Sequence, residues 1–306
     1  MTTNTDYHIM VGLDLSFNST GITIINCVNK NAQSIVFHRM VYAKNHKQFI
    51  TPAKPIQGVN IHKYKLPDNF DYKSLTLGNI ASRDDEYLSS DDIELSESYN
   101  IDQLLITTKL LINGKRIFKL VLDAITSYIS KYSISKSELS ISFNIEGNIL
   151  GGNEIMGKNQ LRVIGGLIML NHEIRRQIID LSLSKQFKNI KLFITSPSEL
   201  KMYFADNGNA TKYDMVDSFI DKWDGKKLIP SISNESAMVG NINDVVDSFA
   251  LAVTAYHKTF IPQSYIDWLK IRSGRKLKST VKRKPKPKKT EEPLDLLLNS
   301  LPIINV

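Results

Sequence analysis

Four acids carry the chemistry that this sequence offers. Asp244 and Asp247 lie three residues apart in NDVVDSFALA (residues 243–252), at the head of an otherwise apolar stretch. On a helix, positions i and i+3 share a face, so both carboxylates point one way while Val245, Val246, Phe249, Ala250 and Val253 can turn toward a core. Two like charges side by side repel unless a cation sits between them. The same pair also suits an ordinary helix start, where the helix dipole favours negative charge. Asp14 and Glu146 weigh toward the cation, because both interrupt apolar strand-like runs, IMVGLDL (9–15) and LSISFNIE (139–146), and burying an unpaired charge is costly. Four carboxylates are hard oxygen ligands suited to Mg²⁺ or Mn²⁺, whereas zinc would call for His or Cys. With two such ions about 4 Å apart, one can activate a water and the other stabilise a leaving 3′ oxygen during in-line attack on phosphate. The chemistry expected is phosphodiester hydrolysis.

The elements that must position these acids follow from the apolar pattern. Residues 9–15 and 22–28 are apolar runs joined by a polar, Gly-containing turn (SFNSTG, 16–21), which reads as a β-hairpin. A β-branched and aromatic run over 34–42 supplies a third strand. From 43 to 100 the pattern dissolves, with prolines at 52, 55 and 67 and an acidic stretch over 84–97, so this segment reads as an insertion. Helical spacing resumes at Ile101 and runs to Ile129. A strand over 139–146, a Gly-rich turn, a long helix over 154–182 and a strand over 189–194 follow. Ser196 with Pro197 and Glu199 is a strong helix start, read as N-cap, first position and capping box. Further helices are expected over 212–223 and 244–260. Three strands, helix, strand, helix, strand, helices is the layout of an α/β, RNase H-like domain: a mixed five-stranded sheet flanked by helices, with a large insertion after the third strand. Its first and fourth strands are neighbours, so Asp14, Glu146 and the first turn of the last helix can converge.

Charge and composition bound the rest. The chain has 306 residues, 42% of them hydrophobic, with a formal net charge of +8. Eleven Lys or Arg and no acid fall within 270–289, and three acids without a base follow, which leaves the first 269 residues neutral. The expected organisation is a domain over 1–42 and 101–262, the insertion over 43–100, and a basic, disordered tail over 263–306. A cationic arm gains nonspecific affinity for DNA by counterion release, although it also solubilises. The apolar end of that tail, PLDLLLNSLPII (293–304), suggests docking on a protein partner. No run reaches the roughly 18 to 20 apolar residues of a membrane span, and neither a basic start nor an apolar run marks a signal peptide, so a cytoplasmic location is expected. Cys27, the single cysteine, reads as a small buried hydrophobe.

The segments IMVGLDLSFNSTGI (9–22), NIEG (144–147) and NDVVDSFALA (243–252) resemble the catalytic signatures of RuvC-type Holliday junction resolvases, especially the bacteriophage members. The resemblance spans residues 8–260 without the insertion. It implies a homodimeric, Mg²⁺-dependent endonuclease that nicks four-way DNA junctions symmetrically, leaving 5′-phosphate and 3′-hydroxyl ends, with Asp14, Glu146, Asp244 and Asp247 as metal ligands. It also points to Lys201 and Lys212 as contacts to the DNA backbone, the latter opening a helix after Gly208–Thr211.

Two departures stand out. The first motif carries Asp14-Leu15-Ser16 where cellular members have Asp-Pro-Gly, a form closer to phage relatives. Ile149 and Leu150 stand where the bacterial enzymes place an aromatic that probes the junction centre; as apolar wedges they can part bases but cannot stack. Three alternatives follow: a less selective flap or branch endonuclease, a noncatalytic DNA-binding protein on the same frame, and an actin-like sugar kinase or ATPase. The last is disfavoured because Gly151 and Gly152 sit in the wrong place for an adenosine motif, and the second by four intact acids.

Overall fold

The computed structural model describes residues 5–16, 19–42, 55–64, 90–147, 158–232 and 242–278, with only the backbone course given for 90–109, 158–165 and 272–278. Ile149 and Leu150, most of the expected insertion and the chain beyond Lys278 lie outside the described residues. Six strands form one mixed sheet: β1 (Tyr7–Leu15), β2 (Ser19–Val28), β3 (Asn31–Tyr42), β4 (Val59–Tyr64), β5 (Leu139–Glu146) and β6 (Asn189–Thr195), in the order β4-β3-β2-β1-β5-β6. β1, β2 and β3 run antiparallel as a meander, and β5 and β6 join parallel beside β1. This is the RNase H-like layout expected.

Strand alternation divides the side chains between two cores. On one face Ile9, Val11, Leu13, Ile141, Phe143 and Ile145 pack with helices α1 (Ser90–Tyr132) and α2 (Lys158–Leu183), through Ile117, Val121, Leu170 and Ile174. Over the other face lies α6 (Asn243–Phe260), whose apolar positions are buried on all sides because a second tier of helices covers it. That tier comprises α3 (Pro197–Ala205), α4 (Lys212–Asp221), the single turn α5 (Gly225–Leu228) and α7 (Pro262–Lys278). Phe204 stacks on Trp223, and Phe249 of α6 meets Phe37, Phe204, Phe219 and Trp223 edge-on or tilted. Cys27 is buried, as expected, with burial pushing its thiol pKa up. No helix among the described residues is long and apolar enough to cross a membrane.

Four expectations are corrected. The sheet has six strands rather than five, because β4, inside the expected insertion, pairs parallel with β3 at the sheet edge. Its residues, four half-buried and two exposed, present no clean apolar alternation to read. Within the same segment, α1 begins at Ser90 rather than 101; its opening Ser-Asp-Asp suits a helix N-terminus while offering no apolar stripe. The folded part also extends to Lys278, sixteen residues into the expected tail, because Tyr265, Trp268 and Leu269 of α7 pack onto the core. Finally, Ser196 caps α3 with Pro197 at its start, but the Glu199 carboxylate does not turn back to the cap; it accepts from Tyr265 at 2.6 Å and pairs with Lys258 at 2.9 Å.

α6 lies so close to the sheet that side chains are excluded from the contact. A Cβ on Gly12 of β1 would overlap the Ser248 carbonyl, and one on Gly21 of β2 would overlap the Asp244 carbonyl. Gly21, expected in a turn, thus lies within a strand and makes room for a helix. Gly21→Ala should destabilise the protein by about 3 kcal/mol or more, since overpacking against backbone cannot be relieved by a rotamer change. Urea unfolding followed by circular dichroism measures this, and a midpoint equal to wild type would contradict the close contact.

Candidate active site

The same alternation that builds the cores puts Asp14 on the face that α6 covers, together with Met10 and Gly12, and puts Glu146 there with Ser142 and Asn144. The parallel register from Tyr7↔Leu139 to Leu13↔Ile145 makes Asp14 and Glu146 side-by-side neighbours at the strand ends. On the other flank Asp14 pairs with Gly21, and Gly21 with Arg39. One row across the sheet therefore reads Glu146, Asp14, Gly21, Arg39. Because Gly21 has no side chain, the first turn of α6 settles on it and brings Asp244 between Asp14 and Arg39.

Polar contacts fix this arrangement. Ser248 of α6 bonds Thr23 of β2 at 2.8 Å. Asn144 donates to the Leu251 carbonyl at 2.9 Å and accepts from Thr195 at 2.8 Å, while Lys258 donates to the Thr195 hydroxyl at 2.9 Å. Glu146 is held through its backbone, whose carbonyl accepts from Asn171 of α2 at 3.0 Å. The register of α6 on β5, and with it the place of Asp247 relative to Glu146, is set by buried hydrogen bonds rather than by apolar contact alone.

The electrostatics bind the acids into one cluster. All four are half-buried. Burial raises the Asp14 carboxyl well above the usual range, and the negative charges of Asp247, Asp244 and Glu146 raise it further while Lys212 opposes them. Asp247 is pushed up to about 7 by burial, with Glu146 and Asp244 adding to it and Lys212 and Lys201 opposing. Burial also raises Glu146, against the pull of Lys201. The two lysines picked out in the sequence thus stand within electrostatic reach of the acids, from α3 and from the first position of α4.

Asp244 is also engaged from the sheet. Its Oδ2 accepts from the Ser19 hydroxyl and faces Arg39 Nε at 3.4 Å. No group of three or more His, Cys, Asp or Glu side chains among the described residues is arranged to hold a metal ion as it stands. The donor set is nonetheless oxygen throughout, and carboxylates that raise one another's pKa are short of positive charge, which a hard divalent cation supplies. Ser19, Gly21 and Arg39 were missed in the sequence. Arg39 carried a usable signal, being a charge inside an apolar strand just as Asp14 is.

The raised acids fix the sign of a pH effect. Between pH 4 and 7 the folded protein keeps a proton on Asp247 that the unfolded chain has released, so stability contributed by this group falls as pH rises through that window. With divalent cations removed by EDTA, Asp247→Asn should raise Tm at pH 8 by roughly 2–4 °C, the effect of about 1 kcal/mol in a chain of this size, and should leave Tm at pH 4 nearly unchanged. Thermal melts at the two pH values decide, and a lower Tm for the variant at pH 8 contradicts the mutual repulsion.

No family model matches the chain, and a search of curated proteins gives no match. Among solved structures the chain is similar to RuvC of Thermus thermophilus, at 10% identity and a TM-score of 0.30, covering 81% of this chain and 94% of that one. It is also similar to the yeast mitochondrial Holliday junction resolvase Ydc2, at 12% identity and a TM-score of 0.35, covering 87% of this chain and 82% of that one.

Proposed function

We propose that this chain is a divalent-metal-dependent endonuclease of branched DNA that resolves four-way junctions as a homodimer by paired nicks, leaving 5′-phosphate and 3′-hydroxyl ends. The observation that carries the reading is the gathering of Asp14, Glu146, Asp244 and Asp247 at one sheet end, with Lys201 and Lys212 acting on the same cluster. The preference for junctions rests on the three motifs, including the phage-type form of the first. Asp14, Glu146, Asp244 and Asp247 would hold Mg²⁺, with Mn²⁺ as substitute, two ions to a site. When bound, the ions assist attack of water on the phosphate and departure of the 3′ oxygen.

The chain's own residues supply the setting. α6 and the strand ends hold the acids on a rigid base, so little reorganisation is needed when a phosphate arrives. Lys201 and Lys212 offset the acids' charge and meet the DNA backbone, while Ile149 and Leu150 part bases at the junction centre. The basic arm after α7 adds salt-sensitive affinity, and the apolar segment 293–304 meets a protein partner. The protein acts in the cytoplasm, that of the host if it is viral.

Cleavage of a mobile four-way junction, a flap, a fork and linear duplex in Mg²⁺ tests the reading. The junction should be cut preferentially, in symmetric positions, and Asp14→Asn should reduce cutting to background. Equal cutting of all four substrates would leave the flap or branch endonuclease, and an active Asp14→Asn protein would remove the site.

A second expectation concerns pH. Lys212 lowers the carboxyl pKa of both Asp14 and Asp247, so Lys212→Ala raises them and lets protons compete better with the metal. At limiting Mg²⁺ the acid limb of the rate profile should move to higher pH in Lys212→Ala, and excess Mg²⁺ should largely restore it. A limb that stays in place, with only a uniform loss of rate, would make Lys212 a DNA contact alone.

A further inference from the structure

The row Glu146, Asp14, Gly21, Arg39 contains one cation, and its position is unusual. Arg39 lies on β3 with no solvent-exposed side-chain surface, whereas Asp244 beside it is 14% exposed. A guanidinium is seldom fully buried without hydrogen-bonded compensation, and here a carboxylate oxygen of the candidate site faces it. Ser19, at the first position of β2, donates its hydroxyl to that same Oδ2. Ser19 is itself tied back, since its backbone N–H donates to Ser16 Oγ at 3.2 Å and its carbonyl accepts from the Ser16 hydroxyl. Two donors from two strands therefore converge on one oxygen of Asp244 and leave Oδ1 for other partners.

We propose that Arg39 and Ser19 are positioning residues for Asp244: they hold Oδ2 away from the metals, so that Asp244 offers a single, pre-oriented oxygen to the site. The proposal rests on the metal-dependent reading given above. Three features make the arrangement specific. Gly21 stands between Asp14 and Arg39 in register and admits the Asp244 backbone, so the carboxylate has a donor pair on one side and the acids on the other. Arg39 presents Nε, a directional donor on a planar group, where a lysine would offer a freely rotating one. Asp244 sits in the first turn of α6, yet the donors to its Oδ2 come from β2 and β3, so its carboxylate is oriented from the sheet. Partners of this kind behind a metal ligand typically govern 10–100-fold in metal affinity.

The test is Mn²⁺ binding to the full chain without DNA, followed by the electron paramagnetic resonance of free Mn²⁺, for wild type, Ser19→Ala, Arg39→Lys, Arg39→Met, Asp14→Asn and Asp244→Asn. Arg39→Met should weaken binding by roughly 10–100-fold, Ser19→Ala and Arg39→Lys by less. In an Asp244→Asn background, Arg39→Met should have no further effect, which a general loss of structure would not produce. If wild type binds, Asp14→Asn does not, and Ser19→Ala and Arg39→Lys equal wild type, the positioning role is overturned while the metal site stands. An Arg39→Met effect that persists undiminished beside Asp244→Asn overturns it as well. If wild type binds no Mn²⁺, the metal-dependent reading and the positioning role fall together. Should Arg39→Met not fold, weakened binding in Ser19→Ala and Arg39→Lys supports the role and unchanged binding overturns it.

Discussion

The contact between the first turns of α6 and the bare backbone of β1 and β2 is the constraint on which the rest depends. Gly12 and Gly21 let helix carbonyls lie directly against strands, and no other residue type permits that approach. Once the helix is that close, Asp244 and Asp247 fall beside Asp14 and Glu146, because strand alternation has already put those two on the same face. A helix held off the sheet by ordinary side chains would leave its acids too far from the strand ends to share anything with them. Site geometry and fold are thus one problem, solved by the absence of two Cβ atoms.

Such closeness has a cost that the sequence visibly meets. A helix buried on most sides must find partners for the polar groups it carries, and several of the bonds of α6 also fix its register: Ser248 to Thr23, the Leu251 carbonyl to Asn144, Lys258 to Thr195 and Glu199. In a low-dielectric interior these bonds are directional where apolar contacts are not. An apolar α6 could slide by a turn along Met10 and Gly12 at little penalty. With Asn144 bridging Leu251 and Thr195, a slide breaks several buried hydrogen bonds at once, each leaving an unsatisfied group.

How far this was legible depends on what each residue shows locally. The strands β1, β2, β3, β5 and β6 announce themselves by apolar runs, and α6 by its length and its acids, so the RNase H-like order could be read directly. The grouping of the four acids followed from that order alone. β4 could not be read, since an edge strand with half-exposed residues has no alternation to display, and α7 was hidden because its basic residues outweigh the three apolar ones that hold it down. Gly21 shows the deeper limit. Gly in SFNSTG looks like a turn residue, since the sequence reveals the missing side chain but not the helix that uses the space. Glu199 erred the other way: its local cap pattern was right, yet Tyr265 and Lys258, far along the chain, captured the carboxylate.

Electrostatics explains why the cluster holds four acids and one buried cation rather than a balanced set. Carboxylates that raise one another's pKa store repulsion, and an arriving cation releases it; the more repulsion stored, the greater the gain on binding. Full neutralisation by internal bases would remove that gain, and no neutralisation would leave the acids protonated near neutral pH. Lys201 and Lys212 oppose the raised pKa of the acids without abolishing it, which places Asp247 near 7, between those limits. Both lysines are on the side helices rather than in the sheet row. The cation in the row itself, Arg39, is buried on β3 and faces Asp244 at 3.4 Å, so the counter-charge inside the sheet is committed to one acid while that of the two lysines is shared among the other three.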